Sequence, residues 1–222
     1  MHLPDGFLDA RTCLATAALS AGALTLAYRS AVRRTGDRTV PLLGTMGAFV
    51  FAAQMLNFPV GFGASGYLLG STLAVVCLGL APAMWVMTSV LVLQCLVFQD
   101  GGLLALGANV LNMAVVGCVV SAAVSRVGVP LGASPRRFRF TVGVAAWASV
   151  VAGAAACAVE LAAAGRVALL PAVATLGGIH AVIGLGEAAI TVAVLGFLVR
   201  QRPDLVAGHP ARPEEPGTPF HG

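Results

Sequence analysis

Long apolar stretches with little charge inside them recur along this chain, at residues 12–28, 41–58, 67–80, 83–98, 103–125, 140–164 and 168–199. A chain folding in water carries about a quarter of its residues charged; here 10% are, against 58% hydrophobic. Most of the surface must therefore meet something other than water, and hydrocarbon is the medium that fits. In hydrocarbon every backbone N–H and C=O must be satisfied inside the protein, so stretches of this length span as helices. The expected fold is an all-α integral membrane protein of about seven transmembrane helices. It forms one domain over residues 1–205.

The stretches 67–80 and 83–98 are short against the ~20 residues that cross a bilayer. They form either one kinked helix or a hairpin of two, turning at Gly79-Leu80-Ala81-Pro82. The basic residues decide between them. All 13 are arginine, and they gather between apolar stretches as Arg29, Arg33, Arg34 and Arg38 and as Arg126, Arg136, Arg137 and Arg139. Such clusters belong in the cytoplasm. An even number of crossings must then separate them, which the hairpin supplies. Seven crossings place the N-terminus outside and the C-terminus inside. The same placement explains the net charge of +4 without nucleic acid as a partner. Residues 206–222, polar and rich in proline with Glu214-Glu215, read as a disordered cytoplasmic tail.

Several residues stand out inside the apolar stretches. Gly66-x-x-x-Gly70 and Ser149-x-x-x-Gly153 fit close helix packing, and Asn109 and Asn112 share a helical face suited to bonding across the bundle. Cys13, Cys77, Cys95, Cys118 and Cys157 form no CxxC pair and read as small buried residues. Glu160 fits an interfacial position near a helix end. Glu187 follows His180 by two helical turns, so both lie on one face, as a structural pair or as an acid and base without a neighbouring nucleophile. The N-terminus lacks the basic start of a secretory signal. Its first dipeptide carries a specific chemistry. The Met1 α-amine, the His2 amide nitrogen and the His2 Nδ1 can close successive five- and six-membered chelate rings on one ion. That planar nitrogen set suits Ni(II), Cu(II) or Co(II).

The opening Met1-His2-Leu3-Pro4-Asp5-Gly6-Phe7-Leu8 resembles that of the CbiM/NikM family, the membrane components that capture substrate in cobalt and nickel energy-coupling factor transporters. The likeness continues through Val40-Pro41-Leu42-Leu43-Gly44, Ala52-Ala53-Gln54-Met55-Leu56-Asn57-Phe58-Pro59-Val60 and Ser65-Gly66-Tyr67-Leu68-Leu69-Gly70. It resumes at Asp100-Gly101-Gly102, Leu106-Gly107-Ala108-Asn109-Val110-Leu111-Asn112-Met113, His180-Ala181-Val182-Ile183-Gly184-Leu185-Gly186-Glu187-Ala188 and Arg202-Pro203-Asp204-Leu205.

The resemblance implies a multi-pass protein of a bacterial cell membrane whose N-terminal segment folds into the outer face of the bundle. It implies a transported Co(II) or Ni(II) ion and no cofactor. Its partners would be a transmembrane coupling subunit, cytoplasmic ATPases and a small auxiliary membrane subunit. No Walker motif occurs in the chain, so the energy comes from those partners. The family binds its ion through the N-terminal amine and second-position histidine, which map onto Met1 and His2. Its fourth ligand is a histidine in a Ser-Gly-His-Leu-Leu-Gly motif, and here that position is Tyr67. Three outcomes follow for the fourth place: Tyr67 ligates, a water or His180 replaces it, or affinity is lost. In the last case the chain would assemble with its partners without binding metal.

Overall fold

The computed structural model describes residues 2–31, 39–55, 58–61, 64–128 and 134–206. Met1, three arginines of the first basic cluster (Arg33, Arg34 and Arg38) and the tail from residue 207 onward lie outside these residues. The elements run α1 (Ala10–Ala31), α2 (Thr39–Gln54), β1 (Phe58–Gly61), β2 (Ala64–Gly66), α3 (Ser71–Leu78) and α4 (Leu80–Phe98). They continue with α5 (Leu106–Val110), a π-helical stretch (Leu111–Val116), α6 (Gly117–Gly128), α7 (Pro135–Ala163), α8 (Leu169–Gln201) and a 3-10 turn (Pro203–Leu205). α5, the π stretch and α6 run on without a break, so the described helical stretches number seven. Five of them are long and apolar enough to cross a membrane: α1, α4, the run Leu106–Gly128, α7 and α8. The chain is a multi-pass membrane protein. Its outward faces agree, since Leu14, Leu170 and Val182 are each at least 70% exposed, as lipid-facing side chains should be.

Local chemistry sets the boundaries. Ser134 caps α7 by accepting from the Arg137 N–H at 3.3 Å, and Pro135 opens the helix where its missing N–H costs nothing. The division between α3 and α4 falls at Gly79, whose φ of +82° suits a residue without Cβ. The two stretches are therefore separate helices, divided at the first residue of the expected turn. α3 itself is eight residues, all buried, and at 1.5 Å per residue only about 12 Å long. Two expectations need correction here. Residues 67–70 are not helical, so α3 starts at Ser71, and Gly66-x-x-x-Gly70 is no helix-packing motif. Gly66 ends a strand and Gly70, at φ +79°, precedes the helix.

The helices pack through small and hydroxyl side chains, as expected where hydrocarbon gives no hydrophobic drive between them. Ser71 and Thr72 on α3 share hydroxyl bonds with Ser121 on α6, and Ser71 also reaches Ser149 on α7. A Cβ on Gly107 would lie 2.6 Å from the Ala17 Cα, so only glycine lets α1 and α5 approach this closely, and Ser20 bonds the Gly107 carbonyl at 2.8 Å. Along the α7–α8 interface Trp147 donates to the Ala181 carbonyl at 3.0 Å and fills the space over Gly184.

Candidate metal-capture site

The segment before α1 carries His2, and the structure anchors it to three elements. Asn109 on α5 holds Leu3 twice, accepting from its N–H at 2.8 Å and donating to its carbonyl at 3.1 Å. The Gly102 N–H adds a third bond to the Leu3 carbonyl at 2.8 Å. The Asp5 carboxylate accepts from the N–H groups of Leu103, Leu104 and Ala105, the unsatisfied donors at the start of the 106–128 helix, where a negative charge is favoured. Arg166, beyond α7, donates to the carbonyls of Gly6 and Phe7 at 3.0 and 3.1 Å. Leu3 and Leu8 meanwhile bury themselves among Ala105, Ala108, Cys157, Ala158, Leu161, Ala172 and Leu176. His2, adjacent to Leu3, is drawn inside with it and keeps only 3% exposure.

Burial pushes the His2 imidazole down to about 3, because a charged ring would lose its hydration there. The ring is neutral at physiological pH, the form that binds metal. Tyr67 stacks against it, with ring centroids 4.7 Å apart and planes 28° apart. The Tyr67 hydroxyl donates to the Met113 thioether sulfur at 2.6 Å. On another side the Asp100 Oδ1 lies 3.3 Å from His2 Nδ1. The loop bearing Asp100 can lie here only because Gly101 has φ +94° and no Cβ: a Cβ would stand 2.9 Å from Asn109 Nδ2 and 3.4 Å from His2 Cδ2.

Tyr67 is delivered by an irregular loop held from behind. The antiparallel pair β1–β2 precedes it, with Phe58 opposite Gly66 and Pro59 opposite Ser65. Glu187 on α8 then accepts from the N–H groups of Leu69 at 2.8 Å and Gly70 at 2.7 Å, and Gln54 on α2 donates to the Leu69 carbonyl at 2.8 Å. Non-helical backbone deep in a membrane protein needs such partners. His180, also on α8 and 1% exposed, directs Nδ1 to the Leu176 carbonyl at 2.8 Å. The structure thus brings His2 and Tyr67 together, while both Glu187 oxygens serve the loop that carries Tyr67. Glu160, expected at the interface, is instead only 6% exposed and accepts from Asn112 Nδ2 at 2.7 Å. Asn109 and Asn112 do bond across the bundle as their spacing suggested, one to the N-terminal segment and one to Glu160. Among the described residues no three His, Cys, Asp or Glu side chains gather as a metal centre.

Sequence reasoning passed over Asp5, Asp100, Arg166 and Met113. The Asp100-Gly101-Gly102 run carried a signal, since paired glycines after an acidic residue mark a place where backbone passes close to something else. Nothing in the sequence around Arg166 announces its two carbonyl partners.

The chain matches the family described as "Cobalt uptake substrate-specific transmembrane region" over residues 2–205. A protein of Haloquadratum walsbyi named for metal transport is 38% identical over 208 residues, covering 93% of each chain. The fused nickel transport protein NikMN of Rhodobacter capsulatus is 35% identical over 231 residues, covering 96% of this chain and 67% of its own length. A crystal structure of a truncated transition metal transporter superposes with a TM-score of 0.84 at 29% identity, covering 90% of this chain and 99% of its own. With its motifs in order along the whole described bundle, the chain belongs to the CbiM family of substrate-specific transmembrane proteins.

Proposed function

We propose that the chain captures a cobalt or nickel ion from the outer side of a bacterial cell membrane and holds it for ATP-driven import. Met1 and His2 supply amine, amide and imidazole nitrogens, with Tyr67 and His180 as the other residues of interest at the site. ATP is hydrolysed by cytoplasmic ATPases acting through a transmembrane coupling subunit, with a small auxiliary membrane subunit as a further partner. The chain is a transport component and not an enzyme. An acid–base role for His180 and Glu187 is disfavoured by the two backbone N–H groups that occupy both Glu187 oxygens.

The observation that carries this reading is the anchoring of the N-terminal segment. Asn109, Gly102, Asp5 and Arg166 fix the segment through backbone and helix-end bonds, and hold the buried His2 ring against Tyr67 and Asp100. A buried imidazole one residue after Met1 in sequence is what an amine–amide–imidazole chelate requires. The topology supports seven crossings with the N-terminus outside. Four helical stretches, α2, α3, α4 and the run Leu106–Gly128, separate the two arginine clusters, the even number that puts both on the cytoplasmic side.

A second reading, a family member that assembles without binding metal, is favoured by one observation: the Tyr67 hydroxyl is directed at Met113. Metal content of the purified protein, with cobalt and nickel offered together, separates the two readings. The chelate itself is tested by adding one residue before Met1. The added residue displaces the amine and breaks the five-membered ring, so cellular uptake of cobalt or nickel should collapse, while a C-terminal tag should leave it intact. Undiminished uptake by the extended chain would overturn the N-terminal site.

A further inference from the structure

We propose that the Asp100 carboxylate, and not the Tyr67 phenol, supplies the fourth donor to the captured ion, so that this chain offers three nitrogens and one oxygen and favours Co(II) over Ni(II). The proposal rests on the capture reading above and specifies its donor set. The imidazole lone pair of Nδ1 lies in the ring plane, and an ion bound there sits about 2.0–2.1 Å out along it. Two donors sharing such an ion are then about 2.9 Å apart at a right angle and about 3.3–3.4 Å apart in a tetrahedron. Asp100 Oδ1 stands 3.3 Å from His2 Nδ1, inside that range. At this distance the Asp100 carboxylate and the imidazole nitrogen can share either a proton or a metal ion between them.

Tyr67 is placed for a different task. With its plane within 28° of the imidazole, it meets His2 face to face, whereas a donor in the chelate plane must approach edge-on. Its hydroxyl also gives its proton to the Met113 sulfur instead of pointing at the imidazole edge. Tyr67 therefore walls one face of the site. The Asp100 backbone is firmly held. Its N–H bonds the Gln94 carbonyl at 3.1 Å, and Gly102 two residues on bonds Leu3 at 2.8 Å. Gln99 before it and Gly101 after it both adopt left-handed φ, +55° and +94°. The Asp100 side chain keeps 18% exposure against 3% for His2, so an ion arriving from solvent meets the carboxylate first and the imidazole second. A carboxylate oxygen is a harder donor than the imidazole it replaces, and it moves preference away from the all-nitrogen square plane that suits Ni(II).

The test uses the full chain purified in detergent and titrated with Co(II) and Ni(II). Asp100→Asn should weaken Co(II) binding about 10- to 100-fold, and by more than Tyr67→Phe, which removes only the hydroxyl bonded to Met113. Because loss of a hydrogen-bonding neighbour can also weaken a site, Asp100→Cys supplies the decisive spectrum. A thiolate bound to Co(II) gives a strong near-ultraviolet charge-transfer band, and one outside the coordination sphere does not. The wild-type chain with its own five cysteines is the reference. A new band in Asp100→Cys, with weakened binding in Asp100→Asn, establishes the assignment. Absence of the band, wild-type affinity in Asp100→Asn, or a larger loss in Tyr67→Phe than in Asp100→Asn overturns the donor assignment and leaves the capture reading standing. A wild-type chain that binds neither ion overturns the capture reading and the donor set together.

Discussion

Tyr67 stands where the resemblance implies a histidine, and its surroundings are fitted to a phenol. A phenol is larger than an imidazole, and the added length is taken up by Met113, whose flexible thioether accepts the hydroxyl. The two aromatic rings gain a stacked contact in exchange. Tyr67→His should bring no gain in nickel binding: a neutral imidazole offers a nitrogen lone pair at pH 7, but position 67 meets the His2 ring face to face and not at the edge where the ion would bind. Calorimetry with each metal on both proteins measures it. Nickel binding strengthened several-fold in Tyr67→His would place position 67 within the ion's reach and count against the Asp100 assignment.

Among the elements, the irregular run from β1 to the start of α3 depends most on its neighbours. Four residues of non-helical backbone, 67–70, sit fully or half buried between α2 and α8, and two polar side chains satisfy them. Glu187 takes the N–H groups of Leu69 and Gly70, and Gln54 takes the Leu69 carbonyl. Burying a carboxylate is costly, but bonds to charged acceptors are stronger than neutral ones, and here two converge on one group. Glu187→Ala should orphan both N–H groups, at about 1–3 kcal/mol each. We expect a lower melting temperature in detergent together with loss of the Tyr67–His2 contact, read as altered tyrosine fluorescence on Co(II) binding. Glu187→Gln should recover part of both, because one amide oxygen can still accept. A Glu187→Ala chain as stable as the parent would show that the loop is held by its other contacts.

For the whole molecule, the two basic clusters and the bundle describe one orientation. If the N-terminus is outside, the Asp100 loop is outside and the Arg136 loop inside, separated by the helix run Leu106–Gly128. Single cysteines placed at these positions in a chain whose native cysteines are replaced should differ when intact cells meet an impermeant thiol reagent. Labelling is expected at 100 and not at 136. Labelling at both, or at 136 alone, would overturn the seven-crossing arrangement. The same experiment reports on the capture site, since Asp100 belongs to the loop that wraps His2.

Much of the architecture follows from composition and the spacing of charge. Apolar stretches as long as a bilayer is thick can satisfy their backbone only as helices, so the all-helical bundle and the break at Gly79 were legible. These are local properties or depend only on the solvent around the chain. The contents of the site were less so. Hydrophobicity marked residues 67–70 as the beginning of a helix, because a buried loop and a buried helix are equally apolar; the Glu187 carboxylate, over a hundred residues away, made the loop affordable. Glu160 looked interfacial by position, and Asn112 on another helix allows it to be buried. Asp100 reaches His2 only because Asn109, Asp5 and Arg166 draw the N-terminal segment across three elements. Contacts of this kind join residues from 48 to 160 positions apart, and no periodicity or motif spacing encodes such pairings; only the packing of the helices decides them.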